Sequence, residues 1–444
     1  MAIGLVAVIL RSGLFFHVLH QPEVVLQPDS RMYVSLSQGL LENGTLSYPG
    51  ALQAPSADRT PGYPAFLAAI FWSAGASLLT VIFIQILIDS VSCGLVFTLG
   101  ERLWQGSGFL SGILAAVNLG MITYSHFILN DSLFLFFFLL FLLGFLKCIR
   151  QPSWTLSALL GVVLGAATMI RPVTMYLPLI VMPFLLAASM IQQRRRFLPA
   201  AGKALVVGIV FAFCLAPWMA RNYAHYGRWS LSSQSGEHLL QYIVPFTWQY
   251  SKGIPFIEGM KQTSDAFKEK AAQANLDLKK ASPFEVSDFQ VSVALDCLKE
   301  EPKAALAKAW FFGMVKNLFA PSIIDFSYLL KIERPHFFYT EGATTMERAW
   351  NFLRGMKGWF GWAVIGSMVL LGASRVVQVW GLIHLFRRKP WESLFLVVII
   401  GYFLMVSGPV GYAKYRLPFE PILIVFLAVG LKDLYERWIK SAGR

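Results

Sequence analysis

Residues 131–148 read Asp-Ser-Leu-Phe-Leu-Phe-Phe-Phe-Leu-Leu-Phe-Leu-Leu-Gly-Phe-Leu-Lys-Cys. Between Asp131 and Lys147 there is no charge, and about 20 mainly apolar residues are what a single helix needs to cross a bilayer. The two ends differ in sign: a carboxylate opens the run, and Lys147 with Arg150 closes it. The same test applied outward marks 2–19, 78–100, 108–127, 155–170, 173–191, 203–220, 362–386, 391–407 and 417–435 as spans. With 131–148 that makes about 10 transmembrane helices, or 11–13 if the stretches around 64–76, 304–320 and 361–386 are counted differently.

Composition points the same way. The 444 residues are 56% hydrophobic and 14% charged, where a soluble chain carries about 25% charged residues. The fold class read from this is all-α, polytopic and membrane-embedded. The net charge of +13 belongs to anchoring residues at one membrane face. No basic stripe with interleaved aromatics is present, so nucleic acid is not an expected partner. The four cysteines (Cys93, Cys148, Cys214 and Cys297) are scattered, with neither a disulfide framework nor a zinc spacing. The N-terminus lacks a basic leader region and reads as a retained first helix rather than a signal peptide.

Sidedness follows from the short basic loops. Arg102, Lys147 with Arg150, Arg194–Arg196 with Lys203, Arg387–Lys389 and the C-terminal cations all fall on one face under this count, which is expected to be cytoplasmic. The opposite face carries two long loops. The first occupies 20–77 and includes a short apolar stretch, 64–76, that suits an interfacial helix. The second runs over 221–360 and holds more than half of the acidic residues. Within it, Lys261–Lys280 and Phe284–Lys303 have helical spacing, and Ala304–Phe319 suits a surface-lying or re-entrant helix. The expected organisation is an N-terminal membrane module over 1–220, a mainly helical loop domain over 221–360 and C-terminal membrane helices over 361–444.

Charges gather where the outer rim should be. Asp29 follows the first span by about ten residues; by itself it reads first as an N-cap for 30–42, and with Tyr33 four residues on it also suits a base that accepts a proton from a hydroxyl. Tyr33 shares its helix face. Arg59 sits in Asp58-Arg59-Thr60-Pro61-Gly62-Tyr63-Pro64, a bend specified by glycine and prolines, and its planar fork suits a phosphate. Asp131, Arg171, Arg221 and the triplet Lys414-Tyr415-Arg416 fall on the same face, and arginines in short outer loops run against the positive-inside bias. Inside the spans, Arg11 and Asp89 are expected to pair across two helices, while Arg375 has no evident partner. The seven histidines form no metal signature; a divalent ion held by Asp58 with His225 or His238 is the alternative. There is no Gly-x-Ser-x-Gly, P-loop or dinucleotide fingerprint. Energy must come from an activated substrate or a gradient.

Taken in order, Asp29-x-x-x-Tyr33, Arg59-Thr60-Pro61-Gly62-Tyr63-Pro64, Arg171-Pro172, Pro217–Tyr223 and Tyr415-Arg416-Leu417-Pro418 resemble motifs of bacterial GT-C membrane glycosyltransferases. The likeness is to the protein mannosyltransferase and lipid A aminoarabinose transferase group. It implies a GT-C fold in the bacterial inner membrane, with the active site facing the periplasm. It also implies a polyprenyl-phosphate (undecaprenyl-phosphate) sugar donor and a lipid, glycan or protein acceptor. Asp29 then takes the place of the base and Asp131 that of the second outer aspartate. Arg59 stands where relatives have a basic residue facing the donor phosphate, with Tyr33 and Tyr63 beside it. The first loop has one Asp followed by Ser where many relatives have two adjacent acids, and no cofactor is implied with certainty. A transporter or flippase is the rival reading, but such proteins gather polar groups near the midplane, often with repeats, and neither feature is evident.

Overall fold

The computed structural model describes residues 2–49, 55–191, 196–278, 280–335, 337–340, 345–356 and 358–442. Apart from loops and an isolated antiparallel bridge between Ser47 and Pro55, the described secondary structure is helical. The chain opens with α1 (Ala2–Leu19), α2 (Pro28–Asn43), α3 (Gly62–Ala74), α4 (Leu78–Leu103), α5 (Gly108–Ala116), α6 (Leu119–His126), α7 (Asp131–Arg150), α8 (Trp154–Ile170), α9 (Pro178–Ile191) and α10 (Phe197–Tyr226). The stretch read from sequence as a loop domain follows with α11 (Gln234–His238), α12 (Val244–Ser251), α13 (Phe256–Gln273), α14 (Pro283–Lys299), α15 (Lys303–Phe319), α16 (Ile323–Leu329) and α17 (Thr345–Gly355). The chain then returns through α18 (Gly358–Arg388), α19 (Pro390–Ser407) and α20 (Glu420–Ala442).

Helices occupy all ten expected segments. Among the described residues six of them (α1, α4, α7, α10, α18 and α19) are long and apolar enough to cross a membrane, seven if the bent pair α5–α6 is counted as one span. The protein is a multi-pass membrane protein. The expected single span over 108–127 is in fact broken, with a bend of 49° between α5 and α6. The cause is Asn118, whose side-chain oxygen accepts the Met121 amide and whose amide donates to Glu420. A capping side chain offers the backbone an alternative to helix continuation.

The centre of the bundle is α7, the stretch quoted above. Its apolar window is 72% buried, against 50% or less for each of the other five spans. Phe134, Phe138, Phe141 and Phe145 recur at spacings of three and four and so share one face. Phe138 meets Phe403 edge-on at 5.2 Å, and Phe145 stacks on Phe395 at 3.7 Å, which locks α7 against α19. At 1.5 Å per residue a 20-residue helix is about 30 Å long, so Asp131 and Arg150 mark opposite rims. Arg150 pairs with Glu392, and Lys389 donates to the Arg102 carbonyl, so these expected cations gather at one rim, while Arg194 and Arg195 lie outside the described residues.

The charges inside the bundle are closed off. Arg11 is fully buried and meets Asp89 at 2.5 Å, the pair expected from sequence. Its second nitrogen donates to the Ala116 carbonyl at 3.0 Å, an acceptor freed by the break after α5. Arg375, unassigned from sequence, donates to the Leu318 carbonyl at 2.8 Å, at the C-terminal end of α15. Cations are favoured at such helix ends.

In the loop domain, α13 ends at Gln273 rather than near Lys280 because Asn275 adopts a left-handed φ of 53° and the Leu276 amide returns to the Ala271 carbonyl. This is a common way of terminating a helix. The next helix, α14, starts on a capping box made by Ser282 and Glu285. The segment expected as surface-lying or re-entrant is α15, and it packs against α12 and α19.

Removing one member of a buried ion pair leaves the other charge uncompensated and costs about 3–5 kcal/mol. Asp89→Leu is therefore expected to lower stability by that order in detergent unfolding measurements. The double variant Arg11→Met/Asp89→Leu is expected to recover most of the loss.

Candidate active site

The site is built on the rim opposite the basic clusters, and its first part is the turn before α3. Asp58 accepts hydrogen bonds from Tyr48 at 3.2 Å, Ser56 at 3.3 Å and Ser233 at 3.3 Å. Arg221 holds the same loop from behind, donating to the Ser56 carbonyl at 2.8 Å and the Leu46 carbonyl at 3.2 Å while lying 4.5 Å from the Trp218 ring centre. Gly62 lets the turn press onto the end of α8. A Cβ built there would stand 2.6 Å from the Met169 carbonyl oxygen, which no side chain tolerates. The turn is fixed on three sides, so Arg59 is aimed by the backbone rather than by its own rotamers.

Arg59 reaches Asp29, with Nη2 3.4 Å from Oδ1. Asp29 is not the N-cap of its helix. That position belongs to Gln27, whose amide donates to the Ser30 hydroxyl, and Asp29 sits inside the first turn with its carboxylate unspent on capping. Its charge is favoured there by the helix dipole. On the other side, Arg171 donates to Asp131 at 2.6 Å. Lys414 joins the two pairs: its ammonium is 3.8 Å from Asp29 and 3.7 Å from Asp131. The cluster thus holds two carboxylates against three cations (Arg59, Arg171 and Lys414), a surplus of one positive charge.

The two acids differ in access. The Asp29 side chain is 45% exposed and that of Asp131 is 1% exposed. A substrate can meet Asp29; Asp131 is enclosed by Arg171 and Lys414 and is suited to holding them.

Aromatic residues frame the cluster. Tyr33 and Tyr63 meet edge-on with centres 4.9 Å apart. The Tyr33 hydroxyl accepts from Asn130 at 3.0 Å, and Tyr63 donates to Gln85 at 2.7 Å. The Tyr415 ring lies 5.9 Å from the Arg171 guanidinium. Burial pushes the Tyr33 and Tyr415 hydroxyls above the ordinary phenol value. Tyr48 is pushed up to about 12, by burial and then by the Asp58 charge. These phenols stay protonated at neutral pH, and the anionic groups of the site are its aspartates.

Not every residue expected here is brought in. Arg416 is buried and points inward, to Glu420 and to the Asn317, Leu318 and Ala320 carbonyls at the end of α15. That is a structural anchorage, made because a helix end needs cations and its neighbour Glu420 needs a partner. Asp58 is satisfied by hydroxyls, and His238 stacks on Tyr242 with centres 5.6 Å apart. Burial lowers His238 below the usual imidazole range. Among the described residues no group of three or more His, Cys, Asp or Glu is placed to hold a metal, so the Asp58–His238 alternative finds no ligand set here. Asn130 and Gln85, which hold the two tyrosines, were not singled out from sequence, and neither was the bridging position of Lys414. The signal for Lys414 was its outer placement next to Tyr415.

Beside the cluster opens a cavity of about 540 Å³, walled by Phe246, Phe256, Phe319, Phe352 and Met368 among others. Tyr415 belongs both to this wall and to the cluster. The volume is typical of a small-molecule site.

With this geometry in view, the chain can be set beside known proteins. Residues 58–220 match the family model described as dolichyl-phosphate-mannose-protein mannosyltransferase. The oligosaccharyltransferase of Archaeoglobus fulgidus, solved with a tethered acceptor peptide, superposes with a TM-score of 0.50 at 13% identity, over 91% of this chain and 45% of that one. A second structure of that protein, with Zn and sulfate, gives a TM-score of 0.50 at 13% identity over 98% and 49%. The chain has the GT-C fold. It spans about half the length of the archaeal enzyme. ArnT from Cupriavidus metallidurans, solved bound to undecaprenyl phosphate, aligns at 13% identity over 96% of this chain and 77% of that one, with a TM-score of 0.41. No curated protein sequence matches it.

The difference in access between the acids makes a test. Asp131→Leu leaves Arg171, whose side chain is 13% exposed, without its carboxylate partner and is expected to cost about 3 kcal/mol. Asp29→Asn removes a half-exposed, 3.4 Å contact and is expected to cost below about 1 kcal/mol. Thermal unfolding of the purified variants in detergent distinguishes the two.

Proposed function

We propose that the chain is a membrane glycosyltransferase that moves a sugar from a polyprenyl-phosphate carrier to an acceptor hydroxyl on the non-cytoplasmic side, in a bacterial inner membrane. The observation that carries this reading is the Asp29 carboxylate, half-exposed, with the Arg59 guanidinium at 3.4 Å and the Lys414 ammonium at 3.8 Å. A base and two cations converge on one accessible spot. The archaeal oligosaccharyltransferase of like fold, solved with a tethered acceptor peptide, lends support to a transfer function.

In this reading Asp29 takes the proton of the acceptor hydroxyl as its oxygen attacks the anomeric carbon. The bond from that carbon to the phosphate oxygen breaks, and the phosphate leaves with the electron pair. Arg59 and Lys414 meet the charge that develops on it, the kind of fixed electrostatic stabilisation that dominates many barriers. The surplus positive charge of the cluster is what an incoming phosphate neutralises. Asp131 and Arg171 position Lys414, and Tyr33, Tyr63 and Tyr415 shape the walls. Arg221 fixes the Arg59 turn. With one accessible carboxylate in the cluster and, among the described residues, no second nucleophile beside it, a single displacement with inversion is the expected course.

The test is complementation. In cells lacking this chain, mass spectrometry of envelope lipids and glycans is expected to show a missing sugar, restored by the wild-type chain. Asp29→Asn is expected to abolish restoration while the protein remains folded in the membrane. Arg59→Ala is expected to slow transfer about 10²–10³-fold, by analogy with loss of a single oxyanion donor. Full restoration by folded Asp29→Asn would remove Asp29 as the base.

A further inference from the structure

The rim opposite the aspartate cluster holds a second pocket, of about 220 Å³, where α4 and α7 end and α19 begins. Arg102, Lys147 and Arg150 line it with one carboxylate, Glu392. That carboxylate is already engaged: Nε and Nη2 of Arg150 both donate to its Oε1, at 3.1 and 2.9 Å. The Glu392 side chain is 8% exposed and that of Arg150 is 51% exposed, so the negative charge lies behind the guanidinium that covers it. Arg102 spends one nitrogen on the Leu143 carbonyl at 3.1 Å. Lys147 is exposed and, among the described residues, is given no hydrogen bond or ion pair. A fourth cation, Lys389, donates to the Arg102 carbonyl. Burial and then the Arg150 charge hold its ammonium below the ordinary lysine value.

Cations at the C-terminal ends of helices have an ordinary use, because each end carries roughly half a negative charge. That use does not account for all of these. The ends of α4 and α7 together with Glu392 amount to about two negative charges against four cations, a surplus of about two. The recess also lies at head-group depth. Trp104, the residue after Leu103, has the Arg388 guanidinium 4.3 Å from its ring centre, and tryptophan and arginine are enriched at a membrane–water boundary. Leu103 and Leu146, both buried, give the pocket an apolar wall beside its cations.

We propose that this pocket binds a phosphate group, presented by the head group of an anionic lipid in the adjoining leaflet. Its oxygens pair with Lys147 and Arg102, and its apolar end faces the leucine wall. Basic pockets between membrane helices recognise lipid head groups in this way. Free inorganic phosphate presents the same oxyanion without the apolar part and is the other source. An occupant here ties the ends of α4 and α7 to the start of α19, the helix on which α7 stacks. The site does not depend on the glycosyltransferase reading.

Thermal unfolding of the full chain in neutral detergent tests this, since a ligand of the folded state raises the midpoint with its concentration. The probes are dioctanoyl phosphatidylglycerol, zwitterionic dioctanoyl phosphatidylcholine and sodium phosphate at matched ionic strength. The phosphatidylglycerol is expected to bind at least about tenfold more tightly than the phosphatidylcholine, the order that two surplus cations at a lipid surface supply. The double variant Arg102→Gln/Lys147→Gln is expected to erase that preference. Lys147→Gln alone, at an exposed position, is expected to reduce it about threefold without lowering lipid-free stability, and Lys147→Arg to keep it. Lys261→Gln/Lys268→Gln, which removes two exposed cations from α13, is expected to leave it unchanged. A midpoint raised by sodium phosphate to the same Lys147-dependent extent supports the site and makes the free anion its source. A preference that Lys147→Gln leaves intact, or that falls equally in Lys261→Gln/Lys268→Gln, overturns the proposal. So does the absence of a shift with either anion.

Discussion

Everything at the candidate site depends on one constraint: two carboxylates and three cations must be held within contact distance by parts of the chain that are remote in sequence. Asp29 comes from α2, Arg59 from the turn before α3, Asp131 from the start of α7, Arg171 from the end of α8 and Lys414 from the segment before α20. Like charges repel and unlike charges attract with comparable force at these distances, so the order of the five, with carboxylates set between cations, is what lets three positive charges lie so close. Lys414 is the link. Without it the two acids face one another across a gap with a guanidinium on each outer side. The arrangement leaves Asp29 reachable and Asp131 enclosed, and that asymmetry lets two aspartates in one cluster take different roles.

The rest of the bundle keeps those parts in register. The stacked phenylalanines of α7 fix it against α19, which sets the height of Asp131 relative to the segment carrying Lys414. Arg11 joins α1, α4 and the broken end of α5 through Asp89 and the Ala116 carbonyl. Arg375 and Arg416 both close the C-terminal end of α15. Within apolar surroundings each of these contacts has few competitors, because a guanidinium finds no water to return to.

Much of this architecture was legible in the residues. The Arg11–Asp89 pair was foreseeable since two opposite charges in neighbouring spans have no cheaper refuge. Arg375 was not, because its partner is a backbone carbonyl, and every residue has one. Asp29 looked like a helix cap; Gln27 and Ser30 perform that task instead, which a composition rule for capping residues does not anticipate. The span over 108–127 read as continuous because its hydropathy is continuous, and only the capping geometry of Asn118 shows the break. Arg416 and Tyr415 are adjacent in sequence and on the same rim, yet they face different ways, Tyr415 toward the cluster and Arg416 into the end of α15.

What the sequence determined by itself is where the chain enters apolar surroundings and which rim each charge occupies. Those follow from the transfer free energy of each residue and the count of charges between runs, both of them local. Which charges touch was decided only by the tertiary structure. Coulomb attraction depends on distance through space, and the separations among Asp29, Arg59 and Lys414 are set by how helices pack, not by their positions along the chain.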